Sequence, residues 1–259
     1  MKFLILLLIG MVPASLAAQD TLWTKTYGTP ASDGAKSICR ANDEGYITVG
    51  YSFASGTKIP GMMLLKINTD GNEIWRSMPV LPGSKYPNDI CGLRDDSGYM
   101  ICGKSQEGGQ ALPDLWIARV DNSGGMVWSK NIGGEGLDIG EAICSTSDGN
   151  YLISGTTSSK GFGVEDLYAL KIDEEGKIVW EKTFGGSKPD TGSDVLETSD
   201  GFYLFGGSTS TLDDPPSSGR NRDMFVVKTN SDGILVKSEA LWVMAASQGA
   251  YDACNTLCR

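Results

Sequence analysis

The sequence contains no histidine in 259 residues. That removes the commonest general base, the usual Ser and Cys triads and the commonest transition-metal ligand together. Nor is there a surplus of basic side chains: 22 Lys and Arg stand against 32 Asp and Glu, a net charge of −10. This balance argues against nucleic acid as a partner, because phosphate backbones need clustered cations. Apolar runs long enough to cross a bilayer, about twenty residues, are also missing. Phe3 to Val12 is interrupted at Gly10, preceded by Lys2 and followed by Pro13-Ala14-Ser15-Leu16-Ala17-Ala18. Charge, short apolar run and small residues in that order read as a secretory signal peptide over residues 1–18, cleaved after Ala17 or Ala18. The expected location is therefore secreted, extracellular or cell-surface, with no transmembrane segment. The rival for this stretch is a buried N-terminal strand or helix.

What is plentiful is glycine, 34 residues against a usual share of about 7%. The glycines recur at fixed places, which marks turns rather than disorder. Self-alignment shows the period. Trp23, Trp75, Trp128 and Trp180 are spaced by 52, 53 and 52 residues, and the Tyr46, Tyr99, Tyr151 and Tyr203 positions by 53, 52 and 52. Lys66, Arg119, Lys171 and Lys228 follow in phase, the last interval lengthened by an insert at Asp213 to Gly219.

Each unit holds four short strands parted by turn residues. In the third unit, Ser147-Asp148-Gly149-Asn150 joins the first two and Asp173-Glu174-Glu175-Gly176 the last two. Asp and Gly there suit tight hairpins. Four antiparallel strands in about fifty residues is one blade of a β-propeller. The expected class is all-β, a propeller of four-stranded antiparallel blades with four full blades plus partial flanking strands, incomplete or open. Residues 19–236 form the array, with a leading strand at 22–28 and blades at 33–80, 86–132, 138–184 and 190–236. Residues 237–259 read as a degenerate start of a fifth repeat or a C-terminal tail, so a truncated member of a longer array is expected. A β-sandwich with fortuitous periodicity is the alternative.

Asp33, Asp89, Asp138 and Asp190 read as lying in the loop entering each first strand, and Asp114, Asp166 and Asp223 as preceding each third strand. One reading is a carboxylate ring at a propeller mouth that binds Ca²⁺ or a polyhydroxyl ligand. The other is that each Asp caps its own loop by bonding local backbone. No EF-hand spacing occurs, and no cofactor is implied beyond that Ca²⁺ possibility. Six cysteines in an exported chain invite disulfides. Cys39, Cys91 and Cys144, however, share one repeat position with Leu196, which points to small buried apolar side chains. Cys91–Cys102 and Cys254–Cys258 remain the open pairings, with mostly free thiols expected.

The stretch Ala169-Leu170-Lys171-Ile172-Asp173-Glu174-Glu175-Gly176-Lys177-Ile178-Val179-Trp180 resembles the tryptophan-docking motif of quinoprotein propellers and the Asp-box hairpin of sialidase-type propellers. The resemblance implies a structural role, with Trp23, Trp75, Trp128 and Trp180 as inter-blade anchors. The cofactor ligands and adjacent cysteines of the quinoprotein enzymes, and the arginine trio of sialidases, have no counterpart here. From Leu22 to about Leu235 the unit is similar to repeats of secreted bacterial propeller proteins, which often carry a C-terminal type IX secretion sorting domain. That family implies an extracellular or cell-surface module.

Two functions follow as expectations. The first is a binding or structural module for a glycan, peptide or surface protein, with no catalytic residue. Its site would lie where the repeat departs from itself, at residues 55–60, 106–113 and 211–222. The second is a carboxylate-dependent glycoside hydrolase or lyase, which needs two acids about 5–10 Å apart in one cleft. Glu107, Glu135, Glu141, Glu165 and Glu197 are its non-repeated candidates.

Overall fold

The computed structural model describes residues 23–53, 60–210 and 222–236. Among these there are strands and turns and no helix. The first sheet is β1 (Asp33–Arg40), β2 (Tyr46–Ser52), β3 (Gly61–Ile67) and β4 (Glu73–Ser77). The second is β5 (Ser84–Gly92), β6 (Gly98–Gln106), β7 (Asp114–Asp121) and β8 (Met126–Ile132). The third is β9 (Asp138–Ser145), β10 (Tyr151–Thr157), β11 (Asp166–Ile172) and β12 (Ile178–Phe184). The fourth sheet has three strands, β13 (Asp190–Glu197), β14 (Tyr203–Thr209) and β15 (Asp223–Thr229). A lone bridge from Thr229 to Leu235 begins a fourth. Every sheet is an antiparallel meander in chain order, so the molecule is a run of propeller blades whose described strands do not close a ring.

The blades stack face to face. β1 touches β5, β5 touches β9 and β9 touches β13, which makes the first strands innermost. Strands in the middle of a blade are covered on both faces. β10 and β11 are accordingly buried at every residue, and β11 reads Asp-Leu-Tyr-Ala-Leu-Lys-Ile rather than alternating. The outermost strand β12 has exposed or half-buried side chains throughout. Between the second and third blades, Met100, Cys102, Leu115 and Ile117 meet Tyr151, Ile153, Tyr168 and Leu170. Between the third and fourth, Leu152, Leu167 and Ala169 meet Tyr203, Phe205 and Val227.

Each first strand carries a β-bulge at the same place. Register skips Lys36 in β1, Asn88 in β5, Glu141 in β9 and Ser193 in β13. The strand opposite kinks close, and only glycine fits. A Cβ on Gly50, Gly103, Gly155 or Gly207 would lie 2.0, 2.1, 1.9 or 1.8 Å from the carbonyl oxygen of Gly34, Tyr86, Ile139 or Thr191. The bulge and its glycine are thus one repeated device, which bends the strand and re-aims one side chain.

On the outer side, each tryptophan lies against the glycine that turns the next blade's third strand into its fourth. A Cβ on Gly71, Gly124, Gly176 or Gly233 would fall within 2.8, 2.7, 2.6 or 3.0 Å of the indole of Trp23, Trp75, Trp128 or Trp180. Trp23 Nε1 donates to the Thr69 carbonyl at 3.1 Å and Trp180 Nε1 to that of Ser231 at 3.0 Å. The expected leading strand at 22–28 differs in detail. Residues 23–28 are in no sheet, because no described third strand of a preceding blade stands beside them. They are held instead through side chains, Tyr27 donating to the Gly71 carbonyl at 2.5 Å and Lys25 to that of Asp70 at 2.8 Å.

Among the described residues, Cys39, Cys91, Cys102 and Cys144 form no disulfide, and burial pushes the Cys102 thiol well up. Residues 1–22, with the signal peptide, and residues 237–259, with Cys254 and Cys258, lie outside the described residues. So do residues 54–59 and 211–221.

Candidate functional site: a cleft across the first three blades

The sequence-predicted aspartates separate into two groups. Asp33, Asp138 and Asp190 open their first strands and hold the preceding loop. Asp138 accepts from Thr157 Oγ1 at 2.5 Å, Ser159 Oγ at 2.6 Å and the Gly134 amide at 3.0 Å. Asp190 accepts from the Gly186 amide at 2.7 Å. Asp33 accepts from the Thr29 amide and hydroxyl, and bonds from Ser52 and Thr29 hold its carboxyl below the usual range. Asp114 and Asp166 begin β7 and β11 and share the same corners. Gly133 is wedged against Asp114 and Asp138, and Gly185 against Asp166 and Asp190. Burial, with the Asp190 charge adding to it, pushes the Asp166 carboxyl up.

Asp89 does not belong to this series, which corrects the phase read from sequence. The second blade has Lys85 at that place, buried and ion-paired with Glu107. Asp89 instead follows the bulge. It accepts from Ser37 Oγ at 2.6 Å in the first blade and from the Ile143 amide at 2.9 Å in the third, and so ties three inner strands together. Counting ten residues from each tryptophan would have found the difference: Asp33, Lys85, Asp138 and Asp190.

Among the described residues, no group of three or more Cys, Asp or Glu side chains is placed to hold a metal ion. The non-repeated acids are dispersed. Glu107 pairs with Lys85 and Glu135 is exposed. Glu197 accepts from the amide and hydroxyl of Ser147, both at 2.6 Å. The backbone carbonyl of Glu165 accepts the Asp190 amide at 2.8 Å.

What the fold does bring together is a cleft of about 600 Å³ at one end of the inner strands, lined by the first three blades. Its floor includes the bulge residues Lys36 and Asn88. Asn88 Nδ2 donates to the Gly140 carbonyl at 2.9 Å, which fixes that side chain on the third blade. Its walls are Tyr51 and Phe53 from β2 and the segment after it, Tyr86 from β5, Lys104 and Gln106 from β6, and Ile139 from β9. Tyr51 and Phe53 meet edge to face with centroids 5.9 Å apart, and Lys104 Nζ lies 5.7 Å from the Tyr86 centroid. Among the described residues, no Asp or Glu lines the cleft. Glu141, the bulge residue of β9, is half-buried near it. Burial pushes its carboxyl up, while Lys104 and then Lys36 pull it down.

These positions repeat in every blade, but their side chains do not. The residue after the bulge-facing glycine is Tyr51, Lys104, Thr156 and Ser208 in succession, and two residues on it is Phe53, Gln106, Ser158 and Ser210. The bulge itself carries Lys36, Asn88, Glu141 and Ser193. Of the segments singled out in the sequence, 106–113 supplies Gln106, Ala111 and Pro113 to the lining. The other two lie outside the described residues except for Pro60 and Arg222.

No family model matches the sequence, and no curated protein matches it. Solved structures share a coarse likeness, three of them as follows. A crystal structure of a eukaryotic initiation factor is 9% identical with a TM-score of 0.38, covering 86% of this chain and 56% of that one. The acylaminoacyl peptidase of Pyrococcus horikoshii is 13% identical at 0.41, covering 76% and 30%. The periplasmic gluconolactonase of Pseudomonas aeruginosa is 10% identical at 0.36, covering 82% and 75%. This chain thus spans little more than half of the first and under a third of the second. The blade architecture rests on the chain's own sheets. No helix among the described residues is long and apolar enough to cross a membrane.

Proposed function

We propose that this chain is an exported propeller module that binds a ligand in the cleft over its first three blades and performs no chemistry on it. The observation that carries the reading is the side-chain set of the cleft. Aromatic, amide and cationic groups converge on one concavity, and at the positions of Tyr51 and Lys104 and of Phe53 and Gln106 the last two blades hold only Thr and Ser. Pre-formed clefts with a few convergent polar groups are the usual form of binding sites. Export rests on the charged, apolar and small-residue order of the first eighteen positions. Among the described residues, the lining offers no carboxylate pair for glycosidic hydrolysis.

The test is a glycan and peptide array probed with the chain and with Tyr86→Ser. Binding by the chain that is lost in the variant, with no product formed from the bound compound, supports the module. Turnover of any bound compound overturns it, and so does binding that Tyr86→Ser leaves intact.

A further inference from the structure

Deepening that reading, on which it rests, we propose that the cleft takes an acidic saccharide, a uronate-type sugar whose carboxylate is received by Lys36 and Lys104. The chain carries a net charge of −10, and seven of its cations are paired within the fold. Lys66, Lys85, Lys160, Lys171, Lys228, Arg76 and Arg119 are each ion-paired. Lys36 and Lys104 line the cleft, and neither is in an ion pair among the described residues. Two cations facing one concavity, with no carboxylate among the described residues of its wall and only Glu141 nearby, favour an anion from outside. Lys36 is exposed and Lys104 half-buried, so water solvates both ammonium groups, and an incoming carboxylate replaces that water with charge-assisted hydrogen bonds.

The rest of the wall selects the anion's scaffold. Tyr51, Phe53 and Tyr86 present ring surface to the cleft, and such surface suits the C–H faces of a pyranose. A cleft of about 600 Å³ is within the range of small-molecule sites. Asn88, fixed by its bond to Gly140, and Gln106 add amides for hydroxyls. A flexible acidic peptide would use the lysines but make little use of a rigid aromatic wall. Glu141 sets the balance. Its charge offsets part of the lysine field, so removing it favours an anion.

The experiment is calorimetric titration with a panel of oligogalacturonate, oligoglucuronate and oligomannuronate, each beside its carboxyl-reduced neutral form, and with tetraglutamate. The proposal expects at least one uronate to bind and its reduced form to bind at least tenfold more weakly. It expects Lys36→Gln and Lys104→Gln each to weaken the uronate about tenfold or more, the scale of a hydrogen bond to a charged group, and so to narrow the gap between the uronate and its reduced form. Glu141→Gln is expected to tighten uronate binding and to leave neutral binding alone. Equal binding of both forms, or preference for tetraglutamate, overturns the acidic saccharide while the binding module stands. Failure of every saccharide and of the array probes overturns both.

Discussion

The outer and inner ends of the blades obey different rules. At the outer end the repeat keeps its side chains: the same indole meets the same glycine at four successive seams. At the inner end it keeps only the backbone. The same bulge is filled by Lys36, Asn88, Glu141 and Ser193. A residue present in every blade serves the blade, while a repeated backbone position with changing side chains can be specialised without disturbing the fold. The contrast also explains why the cleft lies over the early blades. Tyr51 and Lys104 occupy the place that Thr156 and Ser208 hold further on.

The largest effect that would test this division is Gly155→Ala. Its methyl would overlap the Ile139 carbonyl, at 1.9 Å from Cβ. We expect a loss of about 3 kcal/mol, the upper range for overpacking, measured by urea unfolding. A neutral result would mean that the bulge is not imposed by the glycine.

Next in size is Trp128→Ala. The indole is half-buried on Gly176, so the expected loss is about 2–3 kcal/mol, below that of a fully buried tryptophan. Serine at Tyr86, an inner-end change, should cost about 1 kcal/mol or less if the inner side chains are free to vary. Similar losses for the two would erase the distinction.

The acid limb of stability belongs to the outer framework. Lys171 donates to Asp148 at 2.6 Å and to Tyr203 at 2.9 Å. Burial opposes ionisation of Asp148, but bonds from Lys171, Thr146 and Asn150 outweigh it and hold the carboxyl well below its ordinary 3.8. A depressed folded-state pKa contributes stability that is present above the unfolded value and lost as pH falls. Unfolding midpoints should therefore drop as pH falls below about 4, and Asp148→Asn should flatten that drop. Glu141 has the opposite sign. Its raised carboxyl favours the protonated fold, so its contribution is lost as pH rises above 4.5, and Glu141→Gln should remove that slope. The smallest expected effect is that of millimolar Ca²⁺ on the melting midpoint. The oxygens of Asp138 are taken by Thr157, Ser159 and Gly134, so no shift is expected.

Much of the framework was legible in the sequence because it is what the repeat conserves from unit to unit. Tryptophan spacing gave the blades, and the Asp-Gly joints gave the hairpins. Asp89 was misplaced because the second blade substitutes Lys85 and Glu107 for the usual loop carboxylate, and a nearby aspartate stood in for it by residue type alone. The cleft was missed for a related reason. Its signal is variation within aligned columns, Tyr51 with Lys104 and Lys36 with Glu141, and a search for repeated residues passes over such columns. Gly50, Gly103, Gly155 and Gly207 are in phase and would have located the bulge. That the skipped residue opposite them carries the variation depends on strand register, which only the fold supplies.

The most direct test of the division is a paired set of substitutions at equivalent places. Tyr51→Thr and Lys104→Thr give the first two blades the residue of the third, while Thr156→Ala and Ser208→Ala alter the matching positions beyond the cleft. Titrated with the uronate panel, the first pair should each lose about tenfold or more in affinity and the second pair should match the parent chain. Equal losses in both pairs, or a loss confined to Thr156→Ala and Ser208→Ala, would contradict the assignment of the cleft.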